Sequence, residues 1–404
     1  MISFKKAAAL GLTAAMGLSA LAGCGDSANS GSNGSTGQST TADNSVSESG
    51  VTTTHHKIGI GLYTDSGKSV EALKAYLNGI SATVDCEFVY TTLSTYDEAT
   101  NLTEVQNLIS SGCEGLILTA DMGSAAIKDE CEAAGVYVAG FLCDYNTSYT
   151  TAYDEVFGND YFLGTVCDGW ADASPYAEMV AQDVIDNGYK SVGVVIFPDY
   201  AYPNQAQAAE VFKEKIEEYN ATVDASEQIE VKEPTVLNFA PIDATYFSEN
   251  SDIDCLFSIA AGANFVYPQM VAAGRTDIKL YTTGFEATED VENFRSSGNG
   301  CFQGTMCSAV EAIAYPLCLI IDALNGTTYS DMPATERVDC QPIIILSDED
   351  MEKVKSSSMY YTADYADALI TGEDIVNMCA SYNSDATYAQ LVESLQHLGV
   401  DDLK

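Results

Sequence analysis

The stretch KIGIGLYTDSGKSVEALKAYLNGISATVDCEFVY, residues 57–90, decides the fold. Ile58-Gly59-Ile60-Gly61-Leu62-Tyr63 is a short apolar run of the kind that forms a strand buried on both faces. Residues 67–80 carry a helical pattern, and Val84 to Tyr90 form the next strand. The same alternation continues outward: helix 97–111, strand Gly115-Leu116-Ile117-Leu118, helix 122–134 and strand Val136 to Phe141. Short strands joined by helices of this length imply right-handed crossovers and a parallel sheet covered on both faces.

A polar, Tyr-rich break at 143–160 interrupts the rhythm, which then resumes. The pattern predicts a long helix over 161–187, strand Ser191 to Phe197, helix 203–219 and a less regular region at 226–239. Strand Asp254 to Ile259, helix 262–274, strand Ile278 to Thr283, helices 287–297 and 307–325, and strand Ile343 to Leu346 follow. The expected class is α/β, with two Rossmann-like lobes built on parallel sheets. Residues 347–404 form a polar, helix-prone C-terminal extension rich in Tyr and Asp, opened by Ser347 and Asp350 at capping-box spacing. Docking across one lobe is the expectation for it.

The chain before this body reads differently. Lys5 and Lys6 precede an apolar stretch, Ala7 to Ala22, of roughly 16 residues, short of the about 20 that span a bilayer. Leu21-Ala22-Gly23-Cys24 resembles the bacterial lipobox, which implies cleavage of leader 1–23 and lipidation of Cys24. Two acyl chains give stable anchoring. Residues 25–54 are Gly, Ser, Thr, Asn and Ala almost throughout, so 24–56 reads as anchor and flexible tether. His55 and His56 at its end are expected to be solvated, and no metal site is expected.

Composition narrows the function further. A formal charge of −42, or −44 for 15 basic against 59 acidic residues once the leader is removed, argues against nucleic acid as a partner. Of the 12 cysteines, Cys24 belongs to the anchor. Cys86, Cys113, Cys143 and Cys255 sit in or beside apolar runs, where cysteine behaves as a small hydrophobe. No Cys-x-x-Cys pair, no His-Glu-x-x-His and no Gly-x-Ser-x-Gly occurs, which weighs against an enzyme. Gly61 to Ser69 misses P-loop spacing by one residue.

The order of elements resembles the type I periplasmic-binding-protein family, above all sugar-binding proteins of ABC importers. The residues that carry the likeness are Lys57–Tyr63, Phe141-Leu142-Cys143-Asp144, Phe157-Gly158-Asn159-Asp160, Thr283-Gly284-Phe285-Glu286 and Gly304-Thr305-Met306. The resemblance implies two lobes joined by three crossovers. Lobe one would span 57–158 plus 305–333, and lobe two 159–304 plus 334–346. It also implies hinge closure on a ligand held at the carboxyl ends of the strands.

The candidate ligand-binding residues are Tyr63, Asp65, Ser66, Asp144, Tyr145, Tyr200, Tyr202, Gln207, Phe265 and Glu286. Aromatic faces stack on apolar ligand faces, and carboxylates and amides fix hydroxyl groups. This set departs from the family's pattern. Tyr145 follows Asp144 where relatives have arginine, Ala208 stands where an arginine is usual, Ala260-Ala261 replaces an Asn-Asp pair, and Glu286 replaces Asp. The function implied is capture of a small polar ligand, a sugar foremost, and its delivery to an ABC permease. No cofactor is implied, and the protein is expected to be a monomer. The alternatives are a nucleoside-binding lipoprotein of the basic membrane protein type, suggested by Ala-Ala-Gly-Ala at 260–263, and a sensor coupled to a chemoreceptor or kinase. An extracellular enzyme is a further, weaker one.

Overall fold

The computed structural model describes residues 50–94, 97–143, 145, 160–167, 174–199, 202–333 and 337–404. The leader, Cys24 and the tether up to Ser49 lie outside the described residues. Thirteen strands are described. They are β1 (His56–Leu62), β2 (Cys86–Thr92), β3 (Gly115–Leu118), β4 (Tyr137–Phe141), β5 (Phe162–Cys167), β6 (Ser191–Ile196), β7 (Glu230–Val231), β8 (Thr235–Val236), β9 (Cys255–Ser258), β10 (Lys279–Thr282), β11 (Phe302–Ser308), β12 (Arg337–Asp339) and β13 (Pro342–Ile345). The principal helices are α1 (Lys68–Val84), α2 (Glu98–Ser110), α3 (Ser124–Ala134), α4 (Ser174–Asn187), α5 (Pro203–Asn220) and α6 (Ala314–Leu324). Four C-terminal ones follow: α7 (Asp348–Ser357), α8 (Met359–Thr362), α9 (Gly372–Met378) and α10 (Tyr388–Ser394).

The first sheet runs β12-β5-β4-β3-β1-β2, and every pairing in it is parallel. The second runs β13-β11-β10-β9-β6-β7, with β8 also on β6, and only β11 with β13 is antiparallel. The glycines of the opening strand have a packing cause. A Cβ on Gly59 would lie 2.7 Å from Leu116 Cδ2, and one on Gly61 would lie 2.7 Å from Leu93 Cδ1. Neighbouring leucines fill the space that side chains at these positions would need. In α1, Val70, Leu73, Tyr76, Leu77, Ile80 and Val84 are buried, the stripe an amphipathic helix turns to its core.

Several expectations need correction. The helix expected over 161–187 begins only at Ser174, because Phe162–Cys167 is a strand of the first sheet, paired with β4 and β12. Its Phe-Leu-Gly-Thr-Val-Cys run is as compatible with a buried strand as with a helix, an ambiguity periodicity cannot resolve. Lobe one therefore extends past 158. Gly304-Thr305-Met306 belongs to β11 and pairs wholly within the second sheet; the chain returns to lobe one after Ser308, through the 3-10 turn Val310–Ile313 into α6, which packs on β3, β4 and β5. Residues 337–339, expected in lobe two, are the edge strand β12 of lobe one. His56 also differs from expectation. His55 is exposed and bonds Asp85, but His56 starts β1 and is buried.

Cys86, Cys113, Cys131, Cys143, Cys167, Cys255, Cys301, Cys307, Cys318, Cys340 and Cys379 are all buried free thiols. Among the described residues no helix is long and apolar enough to cross a membrane.

The C-terminal extension docks on both lobes. Its apolar side chains Met359, Ile370, Ile375, Val376, Leu391, Leu395 and Leu398 join one continuous core with Ile58 and Ile60 of the first sheet and Leu280 and Phe302 of the second. Polar anchors fix the path. Asp322 of α6 accepts the N–H groups of Ala380 and Ser381, both at 2.8 Å. The Tyr76 hydroxyl donates to Ile370 O at 2.8 Å. Glu311, buried in the 3-10 turn between lobes, accepts the Leu369 N–H at 3.3 Å.

Burial pushes the Glu311 carboxyl up from its ordinary 4.5 to about 7, with the Glu311 and Leu369 N–H groups pulling the other way. Between those values the unfolded chain releases the proton while the folded chain keeps it, so stability falls as pH rises. Glu311→Gln, whose amide oxygen still accepts from Leu369, should flatten this loss, on the order of 3 kcal/mol. Urea unfolding of both proteins from pH 4.5 to 7 measures it; parallel stability curves would contradict the assignment.

Candidate ligand-binding cleft

The carboxyl ends of both sheets carry the candidate residues. At the first sheet, Tyr63 follows β1 and is held by its N–H donating to Thr119 Oγ1 at 2.7 Å. Its ring is half exposed, and its hydroxyl lies 3.4 Å from Ser69 Oγ. Buried Asn101 ties neighbouring loops together. Its Oδ1 accepts Ser94 N–H, and its Nδ2 donates to Ser94 O and Met122 O. Asp65 and Ser66 are exposed in the turn into α1.

At the second sheet, Phe285-Glu286-Ala287-Thr288 leaves β10 in a loop shaped by Asp290. That carboxylate, fully buried, accepts N–H groups from Glu286 and Thr288 at 2.8 Å and from Val291 at 3.1 Å. Burial still holds its pKa above the ordinary carboxylate range. Glu286 Oε1 accepts a 2.7 Å bond from Asn264 Nδ2. Burial raises the Glu286 pKa, and the Asn264 bond partly offsets the rise.

Asn264 is presented by a tight turn. Ala261 takes φ 46°, and Gly262 packs so closely that a Cβ would meet Thr282 Oγ1 at 2.7 Å. Thr282 Oγ1 also accepts the Gly262 N–H at 2.5 Å. The small residues at 260–263 thus have a structural cause: only small side chains let the turn rest on β10.

Between these two ends lies an open cavity of about 420 Å³, lined by Asp65, Ser66, Lys68 and Glu71 on one side and Glu286 and Thr288 on the other. Lys74 completes the first wall. Lys68 lies 3.5 Å from Glu71 and stacks over the Tyr361 ring at 5.5 Å; Lys74 lies over Tyr90. Carboxylates, ammonium groups and hydroxyls in so small a volume offer alternating acceptors and donors to a polar ligand.

An aromatic cluster forms on the second lobe. Phe197 is stacked on Phe239 at 5.3 Å, meets Phe265 edge-on at 5.1 Å and contacts Tyr202 at 5.4 Å. Tyr202 stays 37% exposed, leaving ring surface open to solvent. Asn264, adjacent to Phe265 in the chain and bonded to Glu286, connects the aromatic cluster to the cavity wall.

Of the candidates read from the sequence, Asp65, Ser66 and Glu286 come together at the cavity, and Tyr202 and Phe265 at the aromatic cluster. Tyr63 stands exposed after β1 and is not among the cavity-lining residues. Gln207 is exposed on α5, whereas Gln205, two residues earlier, is buried and accepts the Phe197 N–H at 2.7 Å. Tyr145 is a correction: it is 1% exposed, turned into the lobe-one core and edge-on to Phe162 at 5.1 Å. Gly140 makes the room, since a Cβ there would sit 2.6 Å from the Tyr145 ring. Asp144 and Tyr200 lie outside the described residues. Sequence reasoning missed Phe239, Asn264 and Lys68. Asn264 sits inside a loop the sequence flagged, but neither Phe239, at the end of an irregular segment, nor Lys68 carries a distinguishing pattern.

Solved structures share this architecture. A periplasmic solute-binding protein of an ABC transporter from Actinobacillus succinogenes, with bound D-allose, matches with a TM-score of 0.56 and 14% identity, over 74% of this chain and 99% of that one. A periplasmic ribose ABC transporter protein from Conexibacter woesei matches at 0.55 and 14%, over 78% and 98%. A carbohydrate transporter protein from Acidothermus cellulolyticus, in complex with myo-inositol, matches at 0.52 and 14%, over 78% and 99%. No protein-family model and no curated protein matches the chain. The fold is that of the type I periplasmic binding proteins.

Asp290→Ala should cost about 2–4 kcal/mol, because several loop N–H groups lose a charged acceptor. Asp290→Asn should cost less, its amide oxygen retaining part of that role. Denaturant titration reads both, and an unchanged midpoint for Asp290→Ala would show that the 286–288 loop does not depend on this carboxylate.

Proposed function

We propose that this chain is an extracytoplasmic solute-binding lipoprotein that captures a small polyhydroxylated ligand, a sugar or related polyol, between its lobes and delivers it to an ABC permease. The observation that carries the reading is the cavity whose opposite walls come from Asp65-Ser66 of one lobe and Glu286-Thr288 of the other. Open α/β sheets bind ligands at their strand carboxyl ends, where loop N–H groups and side chains converge. A polyol suits both halves of the site. Its hydroxyl groups bond Asp65, Glu286 and Asn264, and its C–H face rests on an aromatic ring such as Tyr202.

The leader and Cys24 support a lipid anchor, with the protein working as a monomer on a tether beside the membrane. Fold neighbours that bind D-allose and myo-inositol favour a carbohydrate over the nucleoside alternative. Nothing lining the cavity is a histidine or cysteine, and its carboxylates and lysines are read as binding groups. Import and sensing use the same cleft. Adjacent genes for a permease and an ATPase would mark import, and a histidine kinase would mark sensing.

Calorimetry of the soluble body against D-allose, D-arabinose, myo-inositol, adenosine and amino acids tests the reading. Heat is expected from a sugar or polyol, with Glu286→Ala and Tyr202→Ala each weakening binding about tenfold or more, or about 1.4 kcal/mol. Heat from adenosine alone would transfer the site to nucleosides, and silence from every sugar and polyol would sink the proposal.

A further inference from the structure

The C-terminal extension does more than cover a surface. Two-lobed proteins of this architecture change shape by rotating one lobe against the other, with a few crossover residues absorbing the change in φ and ψ. Here the chain passes between lobes after Cys167, at Ala309–Ile313 and at Cys340-Gln341. The extension grips the second and third of these passages. Leu369 N–H bonds Glu311 in one, while Gln341 N–H donates to Leu395 O at 2.9 Å and Gln396 Nε2 to Asp339 O at 2.9 Å in the other.

It also holds each lobe. On lobe two, the Tyr360 hydroxyl donates to Phe285 O at 2.6 Å, and the Tyr360 and Tyr361 rings pack on Phe285. On lobe one, α8 and α9 both lie along α1, the Tyr365 ring fills the space beside Gly79, and Asp322 and Tyr76 fix the backbone at 380–381 and 370. Tyr360 is 7% and Met359 1% exposed.

We propose that residues 347–404 form a clamp that holds the two lobes at one relative angle in the absence of ligand. Lobe rotation would have to slide the buried faces of Tyr360 and Met359 between α1 and Phe285. It would also part the bonds at both gripped passages. Close-packed interiors switch between discrete arrangements and do not deform continuously, so the clamp opposes small rotations as well as large ones. The clamp follows from these contacts alone. Its functional consequence, a cleft formed before the ligand arrives so that binding loses less to reorganisation, rests on the ligand-binding reading above.

A ligand-free distance measurement tests the clamp independently of what the cleft binds. With Cys24→Ser in the full chain, nitroxides on Asn107→Cys in α2 and Met179→Cys in α4 report across the lobes, because the eleven described native thiols are buried. Electron–electron double resonance should give a single narrow distance. Tyr360→Ala should broaden or split it while circular dichroism stays unchanged. If Tyr360→Ala does not fold, Tyr360→Phe, which keeps the ring and loses the bond to Phe285, is read in the same way. A broad or two-peaked distribution in the parent overturns the clamp, and so does a folded Tyr360 variant whose distribution matches the parent's.

Discussion

One apolar core runs from the first sheet through the C-terminal extension into the second sheet, and the rest of the structure depends on that continuity. Each parallel sheet needs both faces covered, since a bare face would leave a broad apolar surface in water. In lobe one α1 and α6 cover one face of the sheet, and α2 and α3 the other. The outer sides of α1 and α6 are themselves covered by the extension: the Tyr76 hydroxyl bonds Ile370 O, the Tyr365 ring packs beside Tyr76, and the Cys318 thiol faces Ile375 O. Residues beyond Leu346 therefore complete the fold. Full burial of one leucine-sized side chain is worth about 1.5–3 kcal/mol, and this segment buries several.

That continuity also determines what the cleft can be. Its walls belong to different sheets, so their spacing is set by whatever fixes the lobes. Asp290 sets the local shape of one wall by gathering three or more loop N–H groups, and the rigid turn at Ala261-Gly262 sets where Asn264 meets Glu286. The acidic surface of the chain has little bearing on this. Inside the cavity Lys68 and Lys74 stand among Asp65, Glu71 and Glu286, so the site offers mixed polarity suited to hydroxyl groups, unlike the strongly negative exterior.

The alternating strand and helix pattern made the α/β class legible from residues 57–141, since strand-length apolar runs and helix-length spacers have few other packings. That Asp65, Ser66 and Glu286 share one cavity was legible because each follows a strand carboxyl end. Strand 162–167 was not, because a six-residue apolar run beside a helical segment has no period of its own. Tyr145 was misplaced for a similar reason: position after β4 puts a residue near the cleft, but Gly140, five residues earlier in β4, opens a space in the core that the ring fills. The aromatic cluster escaped notice because Phe197, Phe239 and Phe265 come from three separate loops, and their meeting is tertiary. The dual attachment of the extension was equally hidden, since its buried residues Tyr360, Ile370 and Leu395 are spaced irregularly among polar ones.

Hydrogen exchange on the intact body, with and without a polyol such as D-allose, tests the central claim most directly. A ligand held between the lobes should slow exchange in both walls together, at residues 63–69 and at 286–291, and at the Phe197–Tyr202 loop beside them. Protection confined to one wall, or appearing only away from both, would contradict the account.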